Sequence, residues 1–153
     1  MKPLDDTDRA ILRLMQDEGV LPTSDIAARV GLSQPACWRR IKAMRTSGVI
    51  TGTRLGLDAA ALGFGVTVFL GVKLAAKGRV GLEDFERAVM AIPEVQLVQH
   101  VLGLYDYRLR VVARDLSDFE RVLRRRIMTL PGVGDVEANV LLSEEKRGWG
   151  VGL

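Results

Sequence analysis

Four basic side chains, Arg39, Arg40, Lys42 and Arg45, fall within one short stretch of the sequence. Guanidinium and ammonium groups bind phosphates as charges, and an arginine can also donate two hydrogen bonds to a guanine. Gln34 could read an adenine in the same way. Chemistry directed at a polyanion is therefore the first possibility that the sequence raises, and a basic helix face solvated by water is the alternative.

The charge distribution separates two parts of the chain. Residues 1–54 hold nine Lys/Arg and six Asp/Glu, whereas residues 55–153 hold thirteen of each. The whole net charge of +3 therefore belongs to the N-terminal third, and the window from Ile26 to Leu57 contains no acidic residue. A basic patch confined to a small domain favours a polyanionic partner such as nucleic acid.

Signals for three helices occur in residues 1–54. Asp5 is placed to cap the first helix, and Asp8 stands three residues later in the position of a capping box. Thr23 or Ser24 can cap a short second helix. These signals position the basic stretch on the helix that comes next.

The third helix is expected to begin after Ser33 and to end at Gly48, with Pro35 in the first turn, where a missing N–H costs nothing. Gly31 lies in the short turn before it. A short helix, a glycine-containing turn and a longer basic helix form the helix-turn-helix pattern. The β-prone segment Val49–Leu55 is expected to form a small wing or a strand leading out.

The C-terminal part follows a different pattern, in which four β-prone segments alternate with helical ones. Strands are expected at Val66–Leu74, Val95–Leu102, Tyr107–Ala113 and Val136–Leu142. The resulting βαββαβ order predicts an α+β, ferredoxin-like domain. Because such a sheet has helices on one face only, self-association is expected to cover the other face.

An internal repeat supports this reading. The segment Asp84–Arg87 matches Asp118–Arg121, and each copy ends in an Ile-Pro or Leu-Pro step. The spacing predicts a second helix that is one turn longer than the first, with Ser117 and Glu120 as its capping box. The sequence thus divides into a helix-turn-helix domain at 1–54, a linker rich in Ala and Gly at 55–65, and an α+β domain at 66–153.

The other residues of the basic helix have structural interpretations. Cys37, Ile41 and Met44 are spaced as a core stripe, so Cys37 is expected to be buried as a small apolar residue. Trp38 neighbours this stripe, and packing is favoured for it over a DNA contact. Ser33 and the N–H groups of the first turn could hold a phosphate.

In the C-terminal domain, the turn Gly103–Tyr107 offers the strongest chemistry. Tyr105 and Asp106 present a ring, a hydroxyl and a carboxylate that could bind a small amino acid, although an ordinary hairpin turn is favoured from residue types alone. A structural role is favoured for His100, and a solvated face or an interface ion-pair cluster for Arg124–Arg126.

Several classes of function are disfavoured by composition. One cysteine and one histidine give no intrachain disulfide and make a protein-only metal cage improbable, so no metal, cofactor or catalytic residue is predicted. No apolar run approaches the ~20 residues of a membrane span. The first residues, MKPLDDTDR, are too acidic for a secretory signal, so a cytoplasmic protein without membrane contact is expected.

In four places, the sequence resembles the Lrp/AsnC family of transcription regulators, also called feast/famine regulatory proteins. The resemblance rests on LDDTDRAILRLMQDEG, on DIAARVGLSQPACWRRIKAMRTSGVITG, on the turn GLYDY and on LPGVGDVEANVLL, and it covers almost the whole chain. It implies a winged or simple helix-turn-helix domain, a hinge strand and an ACT-like effector domain. The DNA-binding residues expected from residue chemistry and resemblance together are Ser33, Gln34, Pro35, Ala36, Trp38, Arg39, Arg40, Lys42 and Arg45.

The resemblance also implies partners beyond double-stranded DNA. Family members form dimers through the sheets of the second domain, and the dimers commonly assemble into octamers or larger discs. An effector, usually an amino acid, is implied at the turn, with Gly103, Leu104, Tyr105 and Asp106 as its binding residues. Leu104 stands where the family often has an acidic residue. An apolar ligand, a different ligand pose and the absence of a ligand are each compatible with this difference.

Two other classes of function compete with a regulator. Sirohaem decarboxylases resemble this family in both domains, but a large tetrapyrrole would call for histidines and basic residues around it, and this chain has one histidine. A ligand-binding assembly protein without DNA binding is the other alternative, and the acid-free basic window argues against it.

Overall fold

The computed structural model describes residues 3–75 and 79–145. These residues divide into two compact units, residues 3–56 and residues 57–145, so the division falls inside the predicted linker. Residues 146–153, which were predicted to end the C-terminal domain, lie outside the described residues.

The first unit contains the three predicted helices. They are α1 (Asp6–Glu18), α2 (Thr23–Arg29) and α3 (Gln34–Thr46). All three contribute to one small apolar core, whose buried side chains are Ile11, Ile26, Ala27, Cys37, Ile41 and Met44. The predicted core stripe of the basic helix is therefore confirmed, and it fixes which face of α3 is left outside.

The helix caps agree with the prediction at α1 and differ at α2. Asp5 accepts from the backbone N–H of Asp8 at 2.8 Å, and Asp8 accepts from that of Asp5 at 3.3 Å, so the capping box is present. The helix α2 instead begins at Thr23 after Pro22, with no side-chain cap. Because Thr23 and Ser24 are already helical, neither is available as the cap residue that the sequence suggested.

The predicted wing or outgoing strand at Val49–Leu55 is wrong for this chain by itself. Residues 51–58 have no regular secondary structure. Val49 and Ile50 instead pack against the first core, and the N–H of Ile50 donates to the carbonyl of Met44 at 3.1 Å. A strand needs a neighbour for its backbone groups, and the described residues provide none here.

The second unit is a four-stranded antiparallel sheet with helices on one face. Its strands β1–β4 are Val66–Leu74, Val95–His100, Tyr107–Ala113 and Val133–Val140, in the order β2-β3-β1-β4. The helices α4 (Arg79–Met90) and α5 (Leu116–Val122) connect β1 to β2 and β3 to β4. The ferredoxin-like α+β prediction is confirmed, although β2 ends earlier and β4 begins earlier than expected.

The repeated segment places equivalent phenylalanines in the core. Phe85 on α4 and Phe119 on α5 are both buried. The chain continues from α5 through a π-helical turn at Leu123–Ile127. This turn supplies the extra length after Phe119, but α5 with its extension is no longer than α4, because α5 starts closer to its phenylalanine. The predicted Ser117 capping box is wrong, since Asp115 caps α5 by accepting from the N–H of Asp118 at 2.7 Å.

Strand alternation gives the sheet two different faces. The face under the helices includes Val68, Leu70 and Val72 of β1, which are all buried. The opposite surface, here called the open face, is formed by residues from all four strands, namely Thr67, Phe69, Gly71, Lys73, Leu97, Gln99, Arg108, Arg110, Val112, Glu137 and Asn139. Most of the apolar strand residues therefore point at the helices, and the open face is more polar than the strand sequences suggested.

Candidate nucleic-acid interface and effector turn

The outer side of α3 exposes most of the residues that were predicted to bind DNA. Its first turn begins after Ser33, which is the N-cap residue but makes no side-chain cap bond. The exposed members of the predicted set are Ser33, Gln34, Pro35, Trp38, Arg39, Lys42 and Arg45, whereas Ala36 and Arg40 are half-buried. The arrangement presents hydroxyl, amide and cationic groups on one helix, the donor set that phosphates and base edges accept from.

The inner side of α3 holds its cysteine in the apolar core. Cys37 is fully buried among the apolar side chains of the first core. This burial raises the pKa of the Cys37 thiol, and the nearby charge of Arg40 only partly opposes the effect. A thiol kept protonated is a poor nucleophile and metal ligand. Within the described residues there is also no group of three or more His, Cys, Asp or Glu side chains that could hold a metal ion.

Trp38 is more exposed than a packing role requires. Its relative exposure is 52%, and the ammonium of Lys42 lies 4.9 Å from the ring centroid. The residues are four apart on α3, so they are neighbours on its surface. Trp38 also lines a groove together with Met15, Leu21, Thr23, Ile26, Ile41, Lys42 and Arg45. Trp38 therefore combines partial packing with a cation–π contact on the outer side of the helix.

Arg40 differs from its neighbours because it has two carboxylate partners. Its Nη1 lies 2.7 Å from Asp5 Oδ2 and 2.8 Å from Asp8 Oδ1, which joins α3 to the start of α1. Hydrogen bonds to Asp5 and to Asp8 raise the pKa of the Arg40 guanidinium. Neither acidic residue was singled out as a partner by the sequence, which indicated only that they cap α1.

The β2–β3 turn folds onto the open face of the sheet through Tyr105. The ring lies over Gly71 of β1, where a Cβ atom would stand 2.5 Å from the nearest ring carbon. The hydroxyl of Tyr105 donates to Glu137 of β4, and this bond raises the pKa of the Tyr105 hydroxyl and lowers that of the Glu137 carboxyl. Neither Gly71 nor Glu137 was predicted, although a glycine inside an apolar strand often marks such a close approach.

Asp106 anchors the same turn to β1. Its backbone N–H donates to the carbonyl of Val72 at 2.9 Å, and its Oδ2 accepts from the N–H of Leu74 at 2.9 Å. Its carbonyl accepts from the N–H of Val101 at 2.9 Å. The carboxylate that was predicted to hold an amino-acid ammonium thus also has a structural partner.

At its tip, the turn is apolar and exposed. Leu104 is 71% exposed, and Leu102 is fully exposed. Gly103 between them is exposed as well, with nothing within 4 Å of a Cβ built on it. The four predicted effector residues therefore lie in one continuous turn, with Tyr105 and Asp106 directed to the sheet and the two leucines flanking Gly103 outside.

His100 has the structural surroundings that its sequence context suggested. Its ring stacks on that of Tyr107, with centroids 4.8 Å apart. Tyr107 is buried and donates to Glu86 Oε1 at 2.6 Å, and burial together with this bond raises the pKa of its hydroxyl. The run Arg124–Arg126 is exposed, and two of its members pair with Glu120 and Glu94.

Comparison with known proteins agrees with both halves of this description. Residues 4–45 match the AsnC-type helix-turn-helix domain, and residues 67–150 match the Lrp/AsnC ligand binding domain. The chain belongs to the Lrp/AsnC family of transcription regulators, with an N-terminal DNA-binding domain and a C-terminal ligand-binding domain. The resemblance noted in the sequence is thereby confirmed.

Individual relatives match over nearly their whole length. The chain is 34% identical to a proline dehydrogenase transcriptional activator of Rhizobium radiobacter, covering 94% of this chain and 92% of that protein. It is 32% identical to the leucine-responsive regulatory protein of Haemophilus influenzae, covering 95% and 88%. The structure of the Neisseria meningitidis regulator NMB0573 in complex with L-Met aligns with a TM-score of 0.93 at 28% identity, over 98% and 97% of the two chains.

No helix within residues 3–75 and 79–145 combines the length and the apolar character needed to cross a membrane.

Proposed function

We propose that this regulator binds double-stranded DNA through the outer side of α3 and responds to an amino acid or related small molecule at the β2–β3 turn. The observation that carries the proposal is the exposed donor set of α3 above a buried apolar stripe. We propose that Arg39, Lys42 and Arg45 meet phosphates, and that Gln34 and the first turn read base edges, as is usual for a recognition helix.

The proposed effector site is the turn Gly103–Asp106. Backbone N–H groups near Gly103 would hold the ligand carboxylate, Asp106 would pair with its ammonium, and Leu104 would supply an apolar wall. An apolar wall favours leucine-like or aromatic ligands over acidic ones. The L-Met complex of the meningococcal relative supports an apolar amino acid as the class of ligand to test first.

The proposal includes a homodimer that assembles further, to an octamer or a larger form. Support comes from the open face, where Phe69 and Arg110 are half-buried and Leu97 is exposed. The buried Nε of Arg110 has no hydrogen-bond partner within the described part of the chain. Because buried donors are nearly always satisfied, a second copy that brings an acceptor would complete this face. Sedimentation at micromolar concentration should show a dimer or larger, and a species of 16.8 kDa would contradict it.

We also propose that the protein acts in the cytoplasm and is not an enzyme. A sirohaem decarboxylase is disfavoured because His100, the only histidine, stacks on the buried Tyr107. Adding sirohaem should leave the tetrapyrrole absorbance spectrum unchanged, whereas a shift that depends on protein would favour that alternative.

Selection of DNA by the wild-type protein tests the main proposal. Genomic fragments retained by the protein should share one sequence pattern, and an Arg39→Ala variant should bind them more weakly with a salt slope that is smaller by about one. Arg39 suits this test because its exposed side chain makes no ion pair within the described residues. Retention of fragments without any common pattern, or equal binding by the variant, would contradict the assignment.

A further inference from the structure

Arg40 and the first turn of α1 are joined by several hydrogen bonds. Asp5 uses Oδ1 to accept from the backbone N–H of Asp8, and it uses Oδ2 to accept from Arg40. Asp8 uses Oδ2 to accept from the backbone N–H of Asp5, and it uses Oδ1 to accept from Arg40. Each carboxylate therefore has one oxygen in the α1 cap and the other on the guanidinium.

The exposure of these side chains separates them from an ordinary surface pair. The side chain of Arg40 is 33% exposed and that of Asp8 is 13% exposed, whereas that of Asp5 is 43% exposed. Salt bridges between fully exposed groups contribute little, because water and ions screen them. A half-buried guanidinium shared by two carboxylates is held more firmly, since its departure would leave two like charges side by side, with that of Asp8 partly desolvated.

The position of Arg40 on α3 shows what the contact could control. Ile41, the next residue, is buried in the core, and Arg39, the preceding residue, is exposed. Arg40 thus lies at the border between the core side and the outer side of α3. A contact from this border to the N-terminus of α1 restricts rotation of α3 about its own axis, which would otherwise redirect every outer side chain.

We propose that Arg40 is a positioning residue, which fixes the orientation of α3 through Asp5 and Asp8 and makes no phosphate contact itself. The inference rests on the proposed DNA binding by α3, and it removes Arg40 from the set of DNA-contacting residues expected from the sequence. Arg39 and Arg40 are adjacent and chemically identical, but they have separate roles: one meets DNA, and the other aims the helix.

The two roles differ in salt dependence and in sequence discrimination. Loss of a phosphate contact lowers the salt slope by about one and lowers the affinity for all DNA sequences alike. A misaligned recognition helix instead loses contacts to bases, so discrimination between sequences falls. The probes are a duplex selected by the wild-type protein from a random pool and a scrambled duplex of the same length. Affinities are measured across a salt series, well below the unfolding temperature of each variant, with circular dichroism as the check on folding.

We expect Arg39→Ala to lower the affinity for both duplexes and to lower the salt slope by about one. Arg40→Ala should keep the wild-type salt slope while the ratio between the selected and scrambled duplexes falls by roughly tenfold, the scale of one misplaced base contact. Arg40→Lys keeps a cation that can reach the carboxylates, so it should restore part of the affinity ratio between the selected and scrambled duplexes.

For a variant on α1, the inference predicts a change in DNA affinity opposite to the one that long-range electrostatics predicts. Asp8→Ala removes a negative charge from the DNA-binding unit together with the oxygen that accepts from Arg40, so long-range attraction alone would tighten binding to both duplexes. If Arg40 positions α3 through Asp8, the selected duplex should instead be bound more weakly and the ratio should fall. This variant also decides the question if Arg40→Ala does not fold.

Three results would overturn the inference. The first is a salt slope in Arg40→Ala that falls by about one, as in Arg39→Ala. The second is an unchanged ratio in an Arg40→Ala variant that remains folded, and the third is an Asp8→Ala variant that binds both duplexes more tightly with the ratio intact. A wild-type protein that selects no duplex would instead contradict the proposed function itself, and it would be seen before any variant is compared.

Discussion

The proposed DNA-binding helix α3 and the proposed effector turn Gly103–Asp106 present their polar groups in opposite ways. On α3, Arg39 and Arg45 are exposed and make no ion pair within the described residues. In the turn, Tyr105 is bonded to Glu137, and Asp106 to the backbone of β1. One surface is therefore ready to meet a partner as it stands, whereas the other is closed against its own sheet.

This difference indicates how each surface would work. A helix whose outer cations are exposed needs no rearrangement before it meets phosphates. The turn can receive a ligand in two ways: through its exposed backbone near Gly103, or by giving up bonds that now hold it to the sheet. Since those bonds reach the open face, events at the turn can be transmitted to the surface that is proposed to meet a second copy.

The largest expected effect concerns the charge of Asp106. Asp106→Asn keeps an oxygen that can accept from the N–H of Leu74, so the turn should stay in place while the negative charge is lost. If that charge pairs with a ligand ammonium, affinity should fall by tenfold to a hundredfold, about 1.5–3 kcal/mol. Calorimetry against each of the standard amino acids, first on the wild type and then on the variant, makes the measurement.

The choice of asparagine separates ligand contact from turn structure. Asp106→Ala would remove the anchor to β1 together with the charge, so a loss of binding in it could have either cause. Equal affinity in the asparagine variant and a loss in the alanine variant would show that Asp106 acts only on turn geometry. A wild type that binds none of the amino acids would point to an unusual ligand or to none, as Leu104 already allows.

The outline of the molecule was predictable from local patterns, because those patterns are what local structure depends on. The stripe of Cys37, Ile41 and Met44 has helical spacing, and β1 matches its predicted bounds because a run of alternating apolar residues fits a strand that packs under helices. Caps were less predictable. Asp115 and Ser117 are both suitable cap residues, and only the position where the chain leaves β3 decides between them.

The partners of polar side chains could not be predicted, because they come from distant parts of the chain. Arg40 meets Asp5 and Asp8, which are more than thirty residues away, and Tyr105 meets Glu137 across the sheet. A single sequence shows residue types but not such pairs. The segment Val49–Leu55 shows that backbone partners are equally hard to predict. Its residues favour a strand, but the described residues of one chain contain no neighbouring strand with which it could pair.

A second, intermediate effect concerns the closure of the turn on the sheet. In Gly71→Ala the new Cβ would stand 2.5–2.8 Å from three atoms of the Tyr105 ring, which is too close for the ring to remain. Overpacking of this kind costs about 1–3 kcal/mol, partly offset by the gain from replacing a strand glycine. The free energy of unfolding, measured in urea, should therefore fall.

A double-mutant cycle shows whether the ring is the cause. The three atoms nearest to the built Cβ all belong to Tyr105, so Gly71→Ala should be neutral or stabilising in a Tyr105→Ala background. If Gly71→Ala costs the same in both backgrounds, the ring does not lie over Gly71 in solution, and the contrast between an open helix and a closed turn would be weakened.

The smallest expected effect concerns Trp38. It tests whether side chains on the outer side of α3 are already positioned before DNA binds. The ammonium of Lys42 lies over the indole ring, and an exposed cation–π contact contributes about 0.5–1 kcal/mol. Trp38→Leu keeps an apolar side chain against the groove but removes the ring face, so DNA affinity should fall by roughly twofold to fivefold. The salt slope should stay unchanged, because Lys42 is still present to make its proposed phosphate contact.

Lys42→Ala provides the comparison that gives this small effect a cause. It should lower the salt slope by about one. Adding Trp38→Leu to it should cause no further loss of DNA affinity, because a ring that acts only by positioning Lys42 has no effect once Lys42 is absent. Trp38→Phe retains a weaker aromatic face and should lie between the wild type and Trp38→Leu. Losses that add fully in the double variant would show that Trp38 contacts DNA on its own. In that case the indole would be a DNA contact in its own right rather than a support for Lys42.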